Sequence, residues 1–152
     1  MDAATETKVY ERTLSIDAAP DTVWEFFVDP EKLKRWKGID VNLDPRPGGI
    51  YRCEVIPGHI ALGEYVELEK PNRLVFTWGW EGNEAVPPGS STIEVELASE
   101  GSGTSLHFVH HLMSEEAVAS HTGGWEHYLP RLEIAAEGGD PGVDSWIANP
   151  PM

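Results

Sequence analysis

Between Thr92 and Leu112 the chain alternates twice in succession, and the rest of the molecule has to be built around the result. "TIEVELAS" puts Ile93, Val95 and Leu97 on one side and Glu94 and Glu96 on the other. "TSLHFVHHL" puts Leu106, Phe108, His110 and Leu112 on one side. A period of two with one apolar face is the pattern of a half-buried antiparallel strand. The intervening "EGSG" reads as a turn. The apolar face needs a cover, and only one later stretch is long enough to supply it. A helical pattern starts after Ser114, a plausible N-cap followed by Glu115 and Glu116, and runs to about Glu137, where Gly138 and Gly139 stop it. Within it Trp125, Tyr128, Leu129 and Leu132 fall at i, i+3, i+4 and i+7.

The preceding segments extend the same plan. "VYERTLSI" reads as a strand, and "APDTVWEFF" as a short helix with Pro20 in its first turn and Val23, Phe26 and Phe27 inward. "DPEKLKRW" reads as a second short helix carrying Leu33 and Trp36. "DPRPGGIYRCEV" is a turn and a strand with Tyr51, Cys53 and Val55 on one face; "HIALGEYVELEK" and "RLVFTWGW" are further strands. "EGNEAVPPGSS" is a polar loop, and residues 138–152 form a loop-like tail from which Trp146 and Ile147 can pack back. The expected fold class is α+β: a curved antiparallel sheet of about six or seven strands around a long C-terminal helix, with two short helices after the first strand. Residues 1–152 form a single domain on this reading, its core at about 8–137.

Net charge narrows the partners. Eleven basic against 26 acidic residues leave a formal charge of -15, which disfavours nucleic acid and anionic membrane surfaces. A single cysteine, Cys53, excludes an internal disulfide and suits a reducing compartment. The N-terminus has no apolar h-region, and no apolar run approaches the roughly 20 residues of a spanning helix. A cytoplasmic protein is expected. There is no dinucleotide fingerprint, phosphate loop or nucleophile elbow, so no cofactor is expected.

"VWEFFVDPEKLKRW", "RPGGIYR", "GEYVELEKPNRLVFTW", "TSLHFVHH" and "HTGGWEHYLPRL" occur in the order found in the activator-of-heat-shock-protein-ATPase-like family, which this chain resembles from about Lys8 to Ala136. The family belongs to the START-like helix-grip (SRPBCC) superfamily. The resemblance implies a sheet wrapped round the last helix with an apolar cavity between them. It also implies either of two roles: binding of lipid-like, polyketide or aromatic molecules, or docking on a chaperone ATPase. The additional N-terminal domain that accompanies the co-chaperone form has no counterpart in residues 1–152, so the docking role is the less expected of the two.

Candidate ligand-binding residues are Trp36, Tyr51, Trp78, Trp80, Phe108, His110, His121, Trp125 and Leu129, which combine large aromatic surfaces with a few polar groups. His110 and His121 equally fit satisfied core positions. Two readings also fit Gly123 and Gly124: a notch that makes room beside Trp125 and leaves space between helix and sheet, or a break between two shorter helices. Pro130 lacks the N–H that would bond to Glu126, so a bend is expected there. A zinc site from His110, His111, His121 and His127 matches no recognised spacing. Alternation places Glu64 opposite Glu67 and Glu69, which leaves a paired-carboxylate site unsupported, and no catalytic residue is expected. The expected function is non-catalytic binding of a small apolar molecule by a monomer or weak homodimer. A protein-interaction or chaperone-regulating module is the alternative, and a hydrolase- or cyclase-like enzyme comes third.

Overall fold

The computed structural model describes residues 8–150; the residues before Lys8, on which the absence of a secretory signal was read, lie outside them. Strand β1 (Lys8–Ile16) is followed by helices α1 (Pro20–Val28) and α2 (Pro30–Trp36). Six strands come next: β2 (Asp40–Leu43), β3 (Ile50–Ile56), β4 (His59–Glu69), β5 (Arg73–Trp78), β6 (Ser91–Glu100) and β7 (Gly103–Leu112). Helix α3 (Glu115–Ala136) and one turn of helix, α4 (Ser145–Ala148), complete the order. The seven strands form one antiparallel sheet in the order β1-β7-β6-β5-β4-β3-β2. This is the helix-grip arrangement. Among the described residues no helix is long and apolar enough to cross a membrane.

Local chemistry explains most boundaries. Pro20 opens α1, where its missing N–H costs nothing, and Asp29 caps α2 by accepting from the N–H groups of Glu31 and Lys32 at 2.9 and 3.4 Å. Ser114 caps α3 by accepting from Ala117 N–H at 3.0 Å. Helix α3 crosses the concave face of the sheet, where Leu129 and Leu132 pack with Leu106, Phe108, Ile93 and Phe26 in one buried cluster. Tyr10 donates to Glu126 at 2.5 Å and Asp17 N–H donates to Glu137 at 2.9 Å, pinning the helix beside β1.

Four features depart from the sequence reading. Helix α3 is continuous from Glu115 to Ala136, which removes the alternative of two shorter helices. Strand β2 pairs Val41 with Cys53 in a stretch left unassigned above. The tail contains α4, whose Trp146 and Ile147 do pack against the core. Finally, a bulge between Tyr65 and Glu67 reverses the phase of β4. Tyr65 opposes Phe76 and Leu68 opposes Leu74 on the inner face, so Glu64, Glu67 and Glu69 share the outer one. There Arg73 ties Glu67 to Glu94 and Glu96 of β6 in a surface ion network.

Candidate functional site

An open cavity of about 950 Å³ lies between the first half of α3 and the β3–β5 end of the sheet. Its walls include Trp78, Trp80, His121, Trp125 and Tyr128, with Val55, Ile56 and Ile60 opposite. Gly123 and Gly124 border it, and a Cβ built on either meets no atom within 4 Å. The glycines therefore act as the expected notch, making room beside Trp125 with no close contact to relieve. They leave space that a side chain would fill. Gly79 is different: a Cβ there would lie 1.8 Å from Pro87 O, so this glycine lets the 81–90 loop fold back over the strand end. Asn83 holds that loop by accepting from the N–H groups of Ala85 and Val86, and Val86, buried against Leu112 and Ala117, forms part of the rim.

Three indoles dominate the inner wall. Trp78 meets Trp80 edge-on at 5.3 Å and Trp125 at 5.2 Å. Each flanking indole is fixed through its N–H by a histidine. Trp125 donates to His110 Nδ1 at 3.0 Å, while His110 Nε2–H donates to Ser91 Oγ at 2.8 Å and Ser91 in turn donates to Trp78 O. Trp80 donates to His121 Nε2 at 2.9 Å, and His121 Nδ1–H donates to Ala117 O. This bonding makes both rings neutral. Burial, then the neighbouring His121, Lys37 and His111, push the pKa of His110 down to about 2; burial also lowers that of His121. Neither ring nitrogen of either residue is left over to act as a base.

The other sequence candidates sit elsewhere. Tyr51, Phe108, His110 and Leu129 are packed in the core beneath the cavity and do not border it. Trp36 donates to Phe26 O and lines only a smaller hollow of about 170 Å³, shared with Lys34, Arg35 and Arg131. His111 lies 3.1 Å from Glu94 on the outer face, and His127 pairs with Asp144 at 2.8 Å. Among the described residues no group of three or more His, Cys, Asp or Glu is placed to hold a metal ion. Asp144 also accepts from Tyr128 at 2.6 Å and from Trp146 N–H. Burial opposes its charge, but these bonds prevail and hold its carboxyl below the usual range. The clamp sets Trp146 flat on His127, with ring centroids 3.8 Å apart, and makes Trp146 part of the cavity wall.

The sequence reading missed Lys37. Only 2% exposed, it borders both hollows and donates to Tyr51 Oη at 2.8 Å. Its ammonium lies 4.4 Å from the ring centre of Trp78, 4.9 Å from Trp125, 5.3 Å from Trp36 and 5.4 Å from Tyr51. Gly38, at φ +105°, turns the chain immediately after it; a Cβ there would lie 2.6 Å from Cys53 Sγ. Burial, opposed by Cys53, pulls the pKa of Lys37 down to about 8. One signal was available. Leu33, Trp36 and Lys37 fall at i, i+3 and i+4, which brings the lysine, the C-cap of α2, into line with the helix's apolar stripe.

The chain matches the family described as Activator of Hsp90 ATPase homolog 1-like protein over residues 17–137. No curated protein matches it. It is similar to an AHSA1-like protein from Rhizobium etli, solved by NMR, at 40% identity and a TM-score of 0.74, covering 95% of this chain and 91% of that one. It is similar to CalU16 from Micromonospora echinospora at 31% identity and 0.73, covering 90% and 81%. DynU16, a protein of the dynemicin biosynthetic locus, aligns at 25% identity and 0.76, covering 88% of this chain and 49% of DynU16. A helix-grip sheet, a cavity under its helix and a family match across most of the length lead to one assignment: the chain belongs to the Activator of Hsp90 ATPase homolog 1-like family.

Proposed function

We propose that this protein binds a small, largely apolar molecule, aromatic or lipid-like, in the cavity between sheet and α3, and does no chemistry on it. The observation that carries this reading is a cavity of about 950 Å³ walled by four indoles, Trp78, Trp80, Trp125 and Trp146, and bordered by two helix glycines that leave it unfilled. The histidines hold two of those indoles in place, and their ring nitrogens are spent in doing so. The similarity to DynU16, which comes from a biosynthetic locus, supports a small-molecule role. Titration with the neutral fluorescent probe N-phenyl-1-naphthylamine tests it. Saturable binding in the micromolar range is expected, with displacement by flavonoids, polyketides or fatty acids. Absence of saturation below ~1 mM overturns the proposal, since that corresponds to only about 4 kcal/mol of binding free energy.

The family description favours a second reading, a module that docks on a chaperone ATPase. Salt-sensitive association with a purified heat-shock ATPase, unaffected by a cavity-filling Gly124→Leu substitution, would establish it instead.

A further inference from the structure

Lys37 presents a surplus. An ammonium has three protons to donate, and among the described residues the only hydrogen bond that of Lys37 makes takes one of them to Tyr51 Oη. Its remaining directions meet ring faces of Trp36, Trp78 and Trp125. Among the described residues no carboxylate pairs with it. The titratable groups around it are Tyr51, Cys53 and His110, none of which supplies a counter-charge at neutral pH. The indole under the ammonium adds to the imbalance, because Trp78 Nε1 is buried without a partner. A buried cation without a counter-ion is costly, and a donor-rich spot bordering an open cavity calls for an acceptor that carries negative charge.

We propose that the deep end of the cavity is an anion subsite, in which Lys37 receives the ionised carboxylate of an otherwise apolar ligand. This rests on the reading of the cavity as a ligand site and narrows it to acids. The surroundings agree. "EKLKRWK" concentrates four of the chain's eleven basic residues at positions 32–37, and Lys34, Arg35 and Arg131 line the hollow behind Lys37. The acidic side chains bordering the cavity, Glu81 and Glu116, lie on the 81–90 loop and the first turn of α3, with α2 and Lys37 on another side. Their repulsion and that of the net charge are screened over roughly 8 Å at physiological salt. With its pKa at about 8, Lys37 is mostly protonated at pH 7.

Two matched pairs test the subsite and separate ligand classes: 9-anthracenecarboxylic acid against 9-anthracenemethanol, and dodecanoic acid against 1-dodecanol. Calorimetric titration of the wild-type protein at pH 7 should show at least one acid bound about tenfold more tightly than its alcohol, the gain of one charge-assisted contact. The pair that shows the preference identifies the flat or the chain-like class. In Lys37→Met the preference should vanish while the alcohol binds within a few fold of wild type. Equal binding of acid and alcohol in the wild type overturns the subsite, as does a preference that survives in a folded Lys37→Met protein. Should that variant not fold, the wild-type ratio alone decides. Failure of both pairs while N-phenyl-1-naphthylamine binds also overturns the subsite and leaves the cavity reading standing; failure of all five compounds overturns both.

Discussion

The two halves of α3 meet the same sheet in opposite ways. From Leu129 onward the helix is sealed: Leu129 and Leu132 are fully buried, Ala135 and Ala136 nearly so, and Arg131 donates to Trp36 O across to α2. Before Trp125 it stands away, with His121 buried against Trp80 and two glycines facing open space. The short helices α1 and α2 account for the difference, because they close one end of the concave sheet and leave the other to the 81–90 loop. One half is built for stability, while the other spends stability on space.

The largest test of that contrast is Leu129→Ala, expected to cost about 2–5 kcal/mol in urea denaturation because the sealed half has little room to collapse. A loss below about 1 kcal/mol would mean that half is loosely packed too. Lys37→Met should go the other way. A fall of its pKa from 10.5 to about 8 corresponds to about 3 kcal/mol of destabilisation while the lysine is charged. Orphaning Tyr51 Oη takes back about 1–2 kcal/mol, so a net gain of roughly 1 kcal/mol is expected at pH 7. The unfolded chain binds the extra proton between pH 8 and 10.5, so wild-type stability should climb towards that of the variant across this window. Parallel curves would place Lys37 in water.

The histidines sharpen the comparison at acid pH. Both are neutral when folded and ordinary when unfolded, so the stability linked to them is complete above about pH 6.5 and drains as pH falls. His110, with its pKa near 2, should cost about 1.4 kcal/mol for each pH unit below that point. Denaturation at pH 7.5 and 5.5 measures it, and a flat response would show the ring to be hydrated. Smallest of all, Gly124→Ala should stabilise the protein by about 0.5–1 kcal/mol through helix propensity while weakening the neutral probe. Stabilisation without weaker binding would remove Gly124 from the ligand's path.

The scaffold was legible because its signals are local. Alternation marked β6 and β7, Pro20 marked the start of α1, and Ser114 with Gly138 bracketed α3. The errors follow from long-range effects. The face of Glu64 depends on a bulge that only pairing with β5 reveals. Strand β2 alternates, but over only four residues, too short a run to signal a strand by itself, and is recruited by β3. Of the candidate site residues, Trp78, Trp80, His121 and Trp125 border the cavity; those on β3 and β7 turned out to lie a layer deeper, since an inward direction does not say how deep a side chain goes. Lys37 escaped because lysine is seldom buried, and its surroundings come from four separate elements: Trp36 on α2, Tyr51 on β3, Trp78 on β5 and Trp125 on α3.

With Trp78 centred 5.3 Å from Trp80 and 5.2 Å from Trp125, the three indoles are close enough for their electronic transitions to mix. Coupled chromophores of this kind give paired circular dichroism bands of opposite sign, whose intensity depends on the angles between the rings. A guest that tilts any one of them by a few degrees alters that couplet, so the molecule carries its own label-free optical gauge of occupancy.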